Sequence, residues 1–99
     1  MNILLELIKN DNTNSSLHRF KIYPNILIGI NEMQGFNYWF CVWFVETTYI
    51  KIFETNFTII NNCININGDS IMLNRFKTIK TKQDLDKFID NLIKIEVFK

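Results

Sequence analysis

Eight consecutive residues, Tyr38-Trp39-Phe40-Cys41-Val42-Trp43-Phe44-Val45, carry neither a charge nor an amide side chain. Read as a strand, the run places Tyr38, Phe40, Val42 and Phe44 on one face and Trp39, Cys41, Trp43 and Val45 on the other. Most antiparallel strands keep one face buried and one wet. Here both faces are apolar. Each large aromatic withdrawn from water contributes roughly 2–3 kcal/mol, so the rest of the chain must cover both sides or something else must. The run is far below the ~20 residues a membrane-spanning helix needs, so it reads as the central strand of a sheet.

A chain of 99 residues supplies one hydrophobic core, and residues 1–99 read as one domain. The surest covering element is a helix over residues 81–94. Thr81 can cap it, and Asp84 three residues on gives an acidic form of the capping box. Leu85, Phe88, Ile89, Leu92 and Ile93 recur at helical spacing and make one apolar stripe. Asp84 and Asp86 in the first turns and Lys94 in the last suit the helix dipole. At 1.5 Å per residue the helix is about 20 Å long and covers the middle of one sheet face. The second face would fall to the N-terminal segment, to the twist of the sheet, or to another molecule.

The other elements follow from period and punctuation. Residues 2–9 fit both a helical stripe (Ile3, Leu4, Leu7, Ile8) and strand alternation (Ile3, Leu5, Leu7), and their Leu/Glu composition favours a short helix. Residues 11–16 are polar and read as a loop. Residues 17–23 and 26–30 read as strands broken by Pro24-Asn25, with a turn at residues 31–35. Strands follow over residues 36–47, 49–55 and 57–67. Asn67-Gly68-Asp69 is the strongest hairpin signal, and residues 70–80 are expected to pair back across it. The tail, residues 95–99, either extends the last helix or adds a short strand. The expected fold is a two-layer α+β domain: an antiparallel, meander-like sheet of four to six strands packed by a C-terminal amphipathic helix and a short N-terminal one.

Composition limits function more than it specifies it. A hydrophobic fraction of 47% and an aromatic fraction of 14% exclude a disordered tail, and a net charge of +1 gives no global field toward nucleic acid or an anionic membrane. No membrane span is expected. With no export signal read at the N-terminus, a cytoplasmic location is expected, in a host cell if the gene is phage-borne. Cys41 and Cys63 lie in apolar, strand-like stretches and are expected as buried, reduced thiols.

No constellation points to catalysis, a metal or a cofactor, and the chain is not expected to be an enzyme. His18 lacks partners at metal-ligand spacing, and burial would raise the pKa of Cys41 and dull it as a nucleophile. Glu46, Glu54 and Asp69 fall at strand ends and turns, where carboxylates are normally solvated. Arg75, Lys77, Lys80 and Lys82 form a local basic cluster, expected on the last strand and the helix start. Beside aromatics on the same sheet, it would suit single-stranded nucleic acid, by stacking and phosphate contacts. The aromatic surplus points elsewhere, to a protein interface through Phe36, Tyr38, Trp39 and Trp43, since exposed contiguous apolar patches mark contact sites. The expectation is therefore a non-enzymatic protein-binding module, of the kind a phage or mobile element uses as an inhibitor or immunity protein. Its partner would be a target protein or a second copy of itself. A nucleic-acid-binding module and a small-ligand binder are the alternatives.

Overall fold

The computed structural model describes residues 2–10, 16–19 and 23–97. Three helices and five strands follow in the order α1 (Ile3–Asn10), β1 (Ser16–Arg19), β2 (Ile26–Glu32), β3 (Asn37–Val45), β4 (Tyr49–Ile60), β5 (Cys63–Asn65), α2 (Ile71–Phe76) and α3 (Lys82–Glu96). The strands pair antiparallel in sequence order, a five-stranded meander with β3 at its centre. The expected α+β architecture is therefore present, including the short N-terminal helix. Residues 11–15 of the expected loop, residues 20–22 of the first expected strand, and residues 98–99 of the tail lie outside the described residues, while Ser16, expected in that loop, opens β1.

All three helices pack on one face of the sheet. Leu4 of α1, Phe76 of α2 and Leu85, Phe88, Ile89, Leu92 and Ile93 of α3 share one core with Ile26, Ile28, Ile30, Phe40, Val42, Phe57 and Ile64 of the strands. Phe76 sits at its centre, with ring centroids 4.9 Å from Phe40, 5.2 Å from Phe57 and 5.6 Å from both Phe53 and Phe88. Such tilted and edge-on pairs add to the area they bury.

Local chemistry sets the helix starts. Thr81 accepts from the Asp84 amide while the Asp84 carboxylate accepts from the Thr81 amide, completing the expected capping box. At the other end of the chain the buried Asn2 side chain accepts from the Leu4 amide at 2.9 Å and donates to the Ile79 carbonyl at 2.9 Å. This one amide both caps α1 and ties it to the linker before α3, with its oxygen and its nitrogen each hydrogen-bonded in the core.

Two expectations are corrected. Residues 70–80 do not form a strand: Ser70 caps α2, accepting from the Leu73 amide, and the helix delivers Phe76 to the core. The hairpin turn lies earlier, at Asn61-Asn62, where φ is 51° and 64°. A type I′ turn needs positive φ at both central positions, and Asn tolerates the left-handed region better than other side-chain-bearing residues. It therefore splits the expected strand over residues 57–67 into the end of β4 and β5. Gly68, at φ +132°, lies in the loop entering α2, where a Cβ would meet Leu73 Cδ1 at 2.6 Å.

Candidate protein-binding face

The face of the sheet opposite the helices is where Trp39, Cys41 and Trp43 project. Among the described residues no helix or strand lies over it. The N-terminal segment expected as a cover joins the helix layer instead, with the Ile3 amide bonded to the Lys80 carbonyl. The indoles themselves supply the cover. Trp39 and Trp43 stand two residues apart on β3 with ring centroids 5.7 Å apart, inclined at 55°. Directly across the ladder from Cys41 stands Gly29 of β2. A Cβ at Gly29 would lie 2.8 Å from Trp39 and 2.9 Å from Trp43. Glycine thus leaves the room into which both rings fold, and Cys41 is fully buried on a face that no described helix or strand covers. Burial, with Glu54 nearby, pushes the Cys41 thiol up to about 11. It is a packed apolar group and a poor nucleophile.

A bulge organises the polar side of this face. Between the pairs Val42–Phe53 and Trp43–Lys51 the register skips Ile52. The extra residue lets Ile52 and Phe53, adjacent in sequence, both pack toward the core. It also puts Lys51 and Glu54 on the same outer face, which a regular strand forbids for residues three apart. They meet there: Lys51 Nζ lies 3.1 Å from Glu54 Oε2, and the same oxygen accepts the Trp39 indole N–H at 2.9 Å. The Trp39 and Lys51 hydrogen bonds hold the Glu54 carboxyl below its ordinary range. The indole is thereby oriented by a charge-assisted contact.

Of the four residues expected at an interface, the structure brings Trp39 and Trp43 together on this face. Phe36 stands at the tip of the β2–β3 hairpin, 84% exposed, beside the 45%-exposed Met33. Tyr38 does not join them. It faces the core side against Phe57, at 5.5 Å between ring centroids, and burial raises its pKa. The hairpin-tip pair includes a residue, Met33, that sequence reasoning missed. Its only signal was an apolar residue inside a turn.

The basic residues are placed differently from expectation. Arg75 lies in α2, Lys77 caps its C-terminal end, Lys80 lies in the linker and Lys82 opens α3. Lys77 donates to the Gly68 carbonyl, and Lys82 pairs with Asp86. Arg75, Lys80 and Lys82 belong to the helix layer, across the sheet from the two indoles, and only Lys77 reaches a hollow shared with Asn37 and Asn56 of the indole side, so the four cations and the two rings are not assembled on one surface. Cys63, expected to be buried, is exposed where β5 begins, and both cysteines are free thiols. His18 pairs through its backbone with Ile28. Among the described residues no three His, Cys, Asp or Glu side chains form a metal-ligand group, and no helix is long and apolar enough to cross a membrane.

No family model, curated protein or solved structure matches this chain.

Proposed function

We propose that this chain is a non-enzymatic protein-binding module whose contact surface is the helix-free face around Trp39 and Trp43. The observation that supports this reading is the one-sidedness of the layers: all three helices sit on the Phe40 face, while the opposite face is floored by two partly buried indoles. Tryptophan supplies large, rigid contact area with one polar handle, and it is enriched at the anchors of interfaces. The Lys51–Glu54 pair beside Trp39 is suited to a polar rim, which sets orientation and partner choice more than affinity. Phe36 and Met33 add exposed apolar area at the hairpin tip. An inhibitor or immunity-type role would use this face to block a target sterically and needs no catalytic group.

Capture of host proteins on the immobilised chain, compared between wild type and Asn56→Arg, tests the reading. Asn56 is exposed and pairs across the ladder with Trp39, so an arginine there lies over the face without entering the core. A partner held by wild type should bind Asn56→Arg roughly tenfold more weakly or worse, yet bind Gln83→Arg, altered on the exposed side of α3, normally. Equal capture by all three removes the face from the contact. Raising salt separates the nucleic-acid alternative, since phosphate contacts weaken steeply and an apolar protein contact hardly responds. If the partner is a second copy, sedimentation shows a dimer that Asn56→Arg disrupts.

A further inference from the structure

β4 spans twelve residues, but on the side away from β3 it is matched only at Thr58, Ile59 and Ile60, by β5. Among the described residues no strand pairs with residues 49–57 along that edge. A strand edge presents a row of main-chain donors and acceptors, and each is a template for an added strand. Two hollows open on this edge. One, of about 500 Å³, lies between Ile52 and Phe53 of β4 and Ile71, Met72, Leu92 and Ile95 of the helices. Its lining is mostly apolar and wet, with Ile71 68% and Ile95 38% exposed, and Glu54, Ser70 and Glu96 complete it. The other, of about 460 Å³, opens where the chain leaves β5, and is lined by Asn56, Thr58, Asn65, Asn67 and Lys77.

An open edge flanked by side-chain hollows is the geometry of strand addition, in which main-chain hydrogen bonds give affinity and pockets for alternate side chains give selectivity. We propose that residues 53–57 of β4 accept an extended peptide segment of a partner protein as a sixth strand. One apolar side chain of that segment fills the hollow at Ile52, Ile71 and Ile95, and a polar or acidic one reaches the amides and Lys77 at the other end. This surface meets the indole face at Asn37 and Asn56, which line the second hollow on the same side of the sheet as Trp39, while Ile71 and the first hollow lie on the helix side.

A second copy of β4 does not fit the same edge. Two chains paired symmetrically about Thr55 would each run on past Phe53, and that continuation meets the place where β5 already pairs with Thr58. Shifting the pairing toward Tyr49 brings the bulge at Ile52 into the ladder on both chains, and bulges break edge pairing. The regular stretch of residues 53–57 spans roughly 17 Å, a length suited to a short segment that ends at β5.

The test uses the full chain and a displayed library of short random peptides. Selected peptides should alternate apolar and polar residues. Bound as synthetic peptides, they should slow hydrogen exchange at amides within residues 53–57 and leave the quenching of the tryptophans by acrylamide unchanged, since β4 stands between the added strand and the indoles. Ile71→Asp, at an exposed helix-start position that tolerates a carboxylate, should weaken them by roughly tenfold or more without changing the thermal melt. Failure to select any peptide overturns the proposal, as does binding that leaves residues 53–57 unprotected or is indifferent to Ile71→Asp. Peptides that perturb the indoles instead also overturn it, while supporting the function proposed above.

Discussion

A Cβ on Gly29 would stand 2.8 Å from the ring of Trp39. The glycine is needed for space, since it lies in extended β2 and no positive φ is involved. Gly29→Ala must push both indoles outward, and since the ring edges can move, the cost is expected at the low end of overpacking, about 1 kcal/mol. A red-shifted tryptophan emission and stronger quenching by acrylamide would report the displacement. Unchanged emission would mean that the rings do not fold over this position.

Thiol chemistry should divide the two cysteines. Cys63 is exposed and Cys41 is fully buried. Alkylation of the folded protein should therefore modify Cys63 alone, and a second label should appear only on unfolding, which intact-mass measurement resolves. The raised Cys41 value adds a pH dependence. The neutral thiol is the native form, so its contribution to stability is complete below the unfolded value near 9 and is lost as pH rises toward about 11. Cys41→Ala should flatten that alkaline loss.

Acid acts on three surface carboxylates. Hydrogen bonds from Trp39 and Lys51 lower Glu54, the Lys80 and Thr81 amides lower Asp84, and Tyr23 with Lys94 lowers Asp90. A depressed carboxyl stabilises the fold above its unfolded value, roughly 4, and that contribution disappears as pH falls through the lower native value. The melting temperature should be level from neutral pH down to about 5 and decline below about 4. Indole emission should change in the same acid range, because protonated Glu54 no longer holds Trp39. Glu54→Gln should remove the emission change while leaving most of the acid decline.

The turn at Asn61-Asn62 predicts opposite effects of two substitutions. Asn62 has φ 64°, a conformation that glycine adopts freely and a β-branched residue resists. Asn62→Gly should raise stability by a few tenths of a kcal/mol, and Asn62→Val should lower it by about 1–2 kcal/mol. Urea unfolding midpoints compare the three proteins at constant slope.

Where a residue pattern had a single physical solution, the sequence was enough to read the structure. The stripe of Leu85, Phe88, Ile89, Leu92 and Ile93 under a Thr81–Asp84 cap could only be an amphipathic helix, and all five residues are buried. The two faces of β3 were equally legible, as was the shortage of cover for the second. What covers that face was not, because the answer depends on Gly29, which only the pairing register places opposite Cys41. The helix α2 was missed for a similar reason: Asn67-Gly68 looked like the hairpin, while the true turn used two asparagines with no glycine. The contact of Lys51 and Glu54 depends on a bulge, and nothing in a list of residues marks where a ladder will skip one. Tyr38 shares its even-numbered face with Phe40, and only the side on which the helices pack shows that this face is the core and not the interface.

The two tryptophans of the chain both lie on the helix-free face, so a probe placed on tryptophan reports on that face alone. Fluorine NMR of the protein labelled with fluorotryptophan, recorded free and with a captured partner, therefore shows whether this face carries the contact, because the partner's own residues are silent. Both resonances should shift on binding and become less accessible to a soluble paramagnetic quencher. A partner that binds while both resonances and their accessibility stay as in the free protein would contradict a contact through this face.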